Sequence, residues 1–320
     1  MTNPFETAAD SLRRYFRPTP LVPSPALSGH TTSVWLKVET GLPTGSFKVR
    51  GAVWSLAREL ERGPVAEVVA ASTGNHGAAV AWAAQQLGVR ARIFVPERAN
   101  PTKLDKIRGF GAHLEESGRD LTEAIRAAER YAEDSGAFLL ADAMVADVPV
   151  GAGTMGVEIA KQLPNVDIIY VGVGDTALVR GVAGAVKLVL PHVRVVGVAA
   201  SGAPAYYRSW KSGRVETTAS ADTFADGLAV SHPLQPNVDA IRRLVDDFEL
   251  VTDDEMLAAI AFLLREEERV IEPAAAAPVA AFMRARPSAG NVVLVISGAN
   301  IAPDVLARAR QVADKPVHGP

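Results

Sequence analysis

The sequence predicts an α/β protein in which open, mostly parallel sheets are covered by helices. Strand-like and helix-like segments alternate along most of the chain. The strand-like segments, such as 68–71 and 168–173, are short continuous apolar runs, which is typical of parallel sheets buried on both faces. With 320 residues, 48% of them hydrophobic, the chain is long enough to bury a large core and to form two domains.

The alternation of strands and helices begins after a polar leader and an extended, proline-stiffened segment, 19–23. Gly63-Pro64 is a helix-stop pair, and Gly88 closes a helix rich in small residues. The predicted elements of this half are strand 33–38, helix 52–60, strand 68–71, helix 75–87, strand 92–95, helix 101–109, a strand from 113 and helix 122–133.

The same pattern resumes from Gly153 and is interrupted by a less regular stretch from Tyr206 to Gly227. Thr252 followed three residues later by Glu255 predicts a capping box. The predicted elements here are helix 153–163, strand 168–173, helix 178–190, strand 193–199, helices 238–244 and 252–265, strand 292–296 and helix 302–312.

Composition excludes several functions. The formal net charge is −3 and no basic block is present, which argues against nucleic acid or an anionic membrane as a partner. The chain has no cysteine, so disulfides, thiolate metal sites and thiol nucleophiles are excluded. Because residues 1–16 lack the apolar core of a signal sequence and no apolar run is long enough to cross a bilayer, we expect a cytoplasmic protein.

One lysine, Lys48, lies at the start of a predicted helix, after the chain-breaking Gly41, Pro43 and Gly45 and with Ser46 as the expected N-cap. The positive helix end and burial both lower the affinity of an amine for its proton. A neutral lysine can attack a carbonyl and hold a Schiff base. For a lone lysine, an ordinary surface position is the more common outcome, so this hypothesis needs support from other motifs.

Three turns follow predicted strands, where ligands collect in open parallel sheets. Ser72-Thr73-Gly74-Asn75-His76-Gly77 offers amides and hydroxyls for a carboxylate, or simple helix capping. The glycine-containing turn 171–178 brings backbone amides to an anion, although a bare glycine motif is weak support. Ser297-Gly298-Ala299-Asn300 places a hydroxyl where it could meet the edge of a flat heterocycle, or simply forms an ordinary loop.

Together these motifs resemble the fold-type II pyridoxal-phosphate enzymes, in the threonine/serine dehydratase and serine racemase branch. The resemblance runs from Thr19 to Asn300 and includes 46–52, 72–77, the loop from Gly174, Ile271-Glu272-Pro273-Ala274 and 297–300. It implies two domains of the tryptophan-synthase-β-like type: a large cofactor-binding domain, 1–66 with 144–320, and a small mobile domain, 67–143. A homodimer and a small amino-acid substrate are also implied.

The resemblance also implies a role for each matched residue. Lys48 would carry pyridoxal 5′-phosphate and act as the base on the substrate Cα, with Phe47 against the cofactor ring. Asn75 would bond the ring 3′-oxygen, and Ser297 would meet the pyridine nitrogen. The substrate carboxylate would be bound by Ser72, Thr73, Gly74, Asn75 and His76, and the cofactor phosphate by Gly174, Asp175, Thr176, Ala177 and Leu178.

The implied reaction is β-elimination from a β-hydroxy amino acid such as L-threonine, L-serine or a larger 3-hydroxy amino acid, giving a 2-oxo acid and ammonia. A serine at the pyridine nitrogen, unlike an aspartate, does not stabilise a full positive charge there, which favours elimination over transamination. The alternatives are an amino-acid racemase, for which Thr73 supplies a hydroxyl, and a catalytically silent sensor. Because Ala199 and Ala200 replace the acid of the branch's divalent-cation site, no metal is expected there.

The phosphate loop departs from the branch, which has a run of glycines where this chain has Gly174-Asp175-Thr176-Ala177. A desolvated carboxylate beside a phosphate is unfavourable by a few kcal/mol, at an effective dielectric constant of about 20. We expect Asp175 to turn away and cap the following helix and Thr176 to offer its hydroxyl to the phosphate; a third possibility is that Arg180 offsets the charge.

Overall fold

The computed structural model describes residues 3–99, 101–142, 144–288 and 290–314, and it confirms the α/β fold class. Its elements are, in order, α1 (Pro4–Leu12), β1 (Leu21–Pro23), β2 (Ser33–Val38), α2 (Lys48–Arg62), β3 (Glu67–Ala71), α3 (Asn75–Leu87), β4 (Arg90–Val95), α4 (Pro101–Gly109), β5 (His113–Glu116), α5 (Leu121–Ser135), β6 (Phe138–Leu139), α6 (Asp147–Gln162), β7 (Ile168–Gly172), α7 (Ala177–Val189), β8 (Arg194–Ala200), α8 (Ala205–Ser212), α9 (Gln235–Leu244), β9 (Asp247–Val251), α10 (Asp253–Glu267), α11 (Pro273–Ala285), β10 (Asn291–Ile296) and α12 (Pro303–Ala313).

The chain forms two compact units. The first comprises the residues up to Arg17 together with Leu42–Thr154, and the second comprises Pro18–Gly41 together with the residues from Met155 onward. The predicted small domain, 67–143, falls within the first unit, and its boundaries and mobility stay predictions.

The first unit contains a four-stranded sheet in the order β5-β4-β3-β6, and all its strand pairs are parallel. Alanines of α5 pack with Val69 of β3 and Phe94 of β4 in a buried apolar cluster. The carboxyl ends of β3 and β6 lie at the same edge of this sheet, because Val68 pairs with Phe138 in parallel register. The chain segments that follow these two strands, beginning at Ser72 and Leu140, therefore start side by side.

The second unit contains a six-stranded sheet in the order β1-β2-β10-β7-β8-β9, parallel except for the β1–β2 pair. Helix α11, apolar over most of its length, packs against β7, β8 and β10, and Phe282 meets the ring of Tyr170 edge to face at a centroid distance of 6.2 Å. Because β7 and β10 run parallel, the turns that follow Gly172 and Ile296 leave the sheet at one edge.

Most predicted elements are confirmed, including the capping box at Thr252 and Glu255 and the left-handed glycine, Gly88, after α3. The elements that were not predicted include α1, α8, α11, β6 and β9. Helix α1 lies in the polar leader, α8 lies in the stretch predicted to be irregular, and α11 contains an internal proline, Pro278. Strand β6 has only two residues, and β9 is an edge strand with mixed burial.

Candidate active site

Lys48 is the first residue of α2, as the sequence predicts. The chain reaches it through Gly45, whose φ of +68° lies in the left-handed region that glycine tolerates best. The predicted N-cap, Ser46, is wrong: Phe47 occupies the cap position without a side-chain hydrogen bond. The Lys48 side chain is 15% exposed, and its Nζ lies 5.3 Å from the centroid of the Phe47 ring.

Asp142 is a charged residue beside Lys48 that the sequence did not reveal. Its Oδ2 accepts a hydrogen bond from Lys48 Nζ, and its Oδ1 lies 3.5 Å from Nδ1 of His76. A contacting carboxylate favours the charged form of an amine, which opposes the effect of the helix end on Lys48. Asp142 follows the two-residue strand β6, and because so short a strand was not predicted, the residue could not be placed at the sheet edge.

The Ser72–Gly77 turn connects β3 to α3. Ser72 Oγ accepts a hydrogen bond from the Gly74 amide at 3.2 Å, so this hydroxyl serves the local turn. A Cβ on Gly77 would lie 2.7 Å from the Ser72 carbonyl oxygen, so the turn needs glycine there. The side chains of Thr73 and Asn75 are half-buried, and the binding of a substrate carboxylate by this turn stays a prediction.

His76 is oriented by a backbone group. Its Nε2 lies 2.7 Å from the Leu140 carbonyl oxygen, which accepts only if that nitrogen carries the proton. Nδ1 then faces Asp142. The structure therefore brings Lys48 and His76 together through Asp142, within the first unit.

In the second unit, the predicted phosphate loop connects β7 to α7. Asp175 Oδ1 accepts a hydrogen bond from the Ala177 amide at 2.9 Å, which confirms the predicted capping role. Thr176 has φ +76°, a conformation uncommon for residues other than glycine, and is 1% exposed. A Cβ on Gly174 would lie 2.0 Å from the Gly227 carbonyl oxygen, so only glycine fits this position.

Ser297 follows β10 and is 5% exposed. Glu272, the cap residue of α11, is buried beside this turn, where its Oε2 accepts a hydrogen bond from the Asn300 amide at 3.2 Å. The same carboxylate leaves no room for a side chain on Gly298, because a Cβ there would lie 2.7 Å from Glu272 Oε1. The turn after β10 is thus held by backbone contacts to one buried acid.

Comparison with known proteins identifies the family. Residues 12–298 match the family described as pyridoxal-phosphate dependent enzyme. The chain belongs to this family. The predicted resemblance and the predicted cofactor are thereby confirmed.

Several relatives of this pyridoxal-phosphate-dependent chain carry names for one reaction. It is 36% identical to an L-threonine ammonia-lyase of Geobacter sulfurreducens over 92% of this chain and 74% of the relative. It is 37% identical to an L-threonine ammonia-lyase of Thermotoga maritima over 94% of this chain and 76% of the relative. It is 32% identical to the catabolic L-threonine dehydratase TdcB of Staphylococcus aureus over 92% and 88%.

Solved structures agree with the family. Threonine deaminase isoform 2 of Solanum lycopersicum superposes with a TM-score of 0.91 at 27% identity, covering 97% of this chain and 93% of that chain. Maize serine racemase superposes with a TM-score of 0.89 at 27% identity, covering 96% of both chains. Among the described residues, no helix is both long and apolar enough to span a membrane.

The residues of the second unit fit the phosphate of this cofactor. Within the described part of the chain, the buried Oγ1 of Thr176 has no hydrogen-bond partner. This hydroxyl stands at the amino-terminal end of α7, where the helix dipole and amides favour an anion. An orphaned buried hydroxyl at such a position is what a phosphate oxygen would satisfy.

Proposed function

We propose that this protein is a pyridoxal-phosphate-dependent ammonia-lyase that converts a β-hydroxy amino acid, L-threonine first and L-serine or a larger 3-hydroxy amino acid next, to a 2-oxo acid and ammonia. The observation that carries the proposal is the match to two relatives named L-threonine ammonia-lyase, each at 36–37% identity over at least 92% of this chain. The placement of Lys48 at a helix start agrees with it.

Each predicted site residue has a part in this reaction. Bound pyridoxal phosphate supplies an electron sink for the negative charge that develops at the substrate Cα. Lys48 would hold the cofactor, and its Nζ would take the Cα proton of the substrate. Phe47 and Asn75 would orient the cofactor ring, and Ser297 would offer a neutral hydroxyl to the ring nitrogen. A serine at that nitrogen, in place of an aspartate, would not stabilise a full positive charge there, which would favour loss of the β-hydroxyl as water over transamination.

The other two turns hold the ends of the reactants. The Ser72–His76 turn binds the substrate carboxylate through amides and hydroxyls at the start of α3. Gly174–Leu178 would bind the cofactor phosphate, with Thr176 Oγ1 as a donor. The orphaned hydroxyl and the helix amino terminus support this assignment.

The test is a panel of L- and D-β-hydroxy amino acids, assayed for 2-oxo acid and for ammonia with the purified holoenzyme. We expect both products in equal amounts from L-threonine. Lys48→Ala should abolish product and the cofactor-sized mass that borohydride fixes on the protein, whereas Lys211→Ala, at an exposed lysine of α8, should change neither. Absence of product from every substrate would refute the lyase and favour a silent sensor.

A racemase is the second candidate, because Thr73 supplies a hydroxyl in the substrate turn and maize serine racemase is among the similar structures. It would show as loss of optical rotation without ammonia release. If the protein is a racemase, Thr73→Ala should abolish racemisation. If it is a lyase, the same variant should still release ammonia.

We also propose a cytoplasmic homodimer, as the resemblance to this enzyme branch implies. Analytical ultracentrifugation of the holoenzyme should give twice the chain mass of 33.7 kDa. A sedimenting species of single-chain mass at assay concentration would contradict the dimer without affecting the proposed reaction.

A further inference from the structure

Asp142 lies between two nitrogen groups of the first unit. One carboxylate oxygen accepts from Lys48 Nζ, and the other lies 3.5 Å from His76 Nδ1. The three side chains are enclosed, with exposed fractions of 15% for Lys48, 13% for Asp142 and 12% for His76. A carboxylate this enclosed interacts more strongly with a neighbouring cation than a surface carboxylate does, because water screens it less.

A backbone carbonyl fixes the orientation of His76 beside the carboxylate. Since Nε2–H is directed at the Leu140 carbonyl oxygen, Nδ1 of a neutral ring faces Asp142 with a lone pair, and only the doubly protonated ring donates to it. Asp142 therefore contacts Lys48 through Oδ2, and its Oδ1 lies beside His76.

We propose that Asp142 is a positioning residue for Lys48: its carboxylate holds Nζ in its ammonium form and directs it, while the Leu140 carbonyl orients His76 beside that carboxylate. The proposal rests on the proposed function, in which Lys48 attaches the cofactor. It adds that attachment requires Nζ to give up a proton that Asp142 stabilises. It also adds that the same carboxylate stabilises Nζ once Nζ has taken the Cα proton from substrate.

A purely structural ion pair is the competing explanation, and the chain offers a nearby example for comparison. Asp147, at the start of α6, pairs with Arg62 at 2.6 Å, and the Arg62 side chain is 53% exposed. Lys106 of α4 also reaches the loop before Lys48, where it donates to the Thr44 carbonyl oxygen at 2.7 Å. Asp142, His76 and Lys106 are thus the titratable groups that the pH experiment must consider.

The first experiment follows covalent attachment of pyridoxal phosphate to apoprotein by absorbance as a function of pH, in wild type, Asp142→Asn, Asp142→Glu and the matched control Asp147→Asn. Loss of an opposite charge in contact with an amine lowers the pKa of that amine by roughly one to three units. We expect the midpoint of attachment to move down by about one unit or more in Asp142→Asn. Asp142→Glu and Asp147→Asn should keep the wild-type midpoint.

The second experiment compares holoenzyme kinetics and exchange of the substrate Cα hydrogen with solvent deuterium. We expect Asp142→Asn to lower kcat and the exchange rate by about 10-fold or more with a smaller change in KM, as for an interaction used mainly after substrate binding. Asp142→Glu should recover part of the loss. A structural ion pair would instead lower the melting temperature and leave the attachment midpoint unchanged.

The outcomes separate this proposal from the proposed function. If wild type attaches no cofactor at Lys48, the proposed function fails. If wild type attaches cofactor and forms product while Asp142→Asn has the wild-type midpoint and kcat, the positioning role of Asp142 is overturned and the lyase stands. If Asp142→Asn does not fold, Asp142→Ser gives the same decision with a smaller neutral side chain.

Discussion

The carboxylate of Asp175 accepts a hydrogen bond from the amide of Ala177, the first residue of α7, at 2.9 Å. In the predicted phosphate loop this amide is one of the groups that an anion would use. Asp175 thus accepts a hydrogen bond from a helix-end amide and also places a negative charge where the cofactor phosphate is expected to bind.

Asp175→Asn should strengthen cofactor binding. Asparagine keeps an oxygen that can accept the hydrogen bond from the Ala177 amide, and it removes the charge that repels a phosphate. We expect an affinity for pyridoxal phosphate about 5-fold higher at low ionic strength, with a smaller gain at high salt. Fluorescence titration of apoprotein measures it. Asp120→Asn, at the capping aspartate of α5, should leave the affinity unchanged, and equal affinities for Asp175→Asn and wild type would contradict the repulsion.

Thr176→Val should weaken cofactor binding without lowering the stability of the apoprotein. Valine matches the shape of threonine and removes only Oγ1, which has no hydrogen-bond partner in the described part of the chain. A hydrogen bond to a charged group contributes about 1.5–3 kcal/mol, so affinity should fall about 10-fold or more. Apoprotein melting should be unchanged or higher. Thr217→Val, at an exposed threonine, is the control, and a less stable apoprotein would show that Oγ1 has a structural partner.

Glu158→Gln should destabilise the second unit. Lys37 is fully buried, and its Nζ donates to Glu158 Oε2 at 2.6 Å and to the Thr19 carbonyl oxygen at 2.8 Å. Removing one charge from a buried pair costs about 3 kcal/mol or more. Urea unfolding followed by circular dichroism measures it. Glu61→Gln, in an exposed pair with Arg58, should change the free energy of unfolding by about 0.5 kcal/mol or less, and similar effects of the two variants would contradict the prediction.

Tyr170 should make the protein less stable as the pH rises above 10. Burial, followed by the nearby Glu249 carboxylate, raises the pKa of this phenol from 10.0 to about 12. The folded state therefore keeps its proton where the unfolded state has lost it, so stability is full below pH 10 and declines up to about pH 12. A pKa difference of about two between the folded and unfolded states corresponds to a loss of roughly 2–3 kcal/mol in the free energy of unfolding. Urea midpoints from pH 9 to 11 should show this slope, and Tyr170→Phe should reduce it.

The sequence predicted the parts of the fold that depend on local pattern. Continuous apolar runs predicted the central strands, such as β7 and β10, because burial on both faces leaves no room for polar residues. Local capping chemistry predicted the start of α10 and the end of α3. Elements whose stability comes from neighbours, namely β6 and the edge strand β9, carry no such pattern and were missed.

By itself, the sequence determined the α/β class, the family, and the position of Lys48 at the start of a helix, because these follow from periodicity, turn residues and motif spacing within short segments. Only the tertiary structure decided which groups meet Lys48. Asp142 is 94 residues away in the chain and reaches Nζ because β6 adds in parallel beside β3. Such a meeting depends on strand order in the folded sheet, and local sequence does not encode strand order.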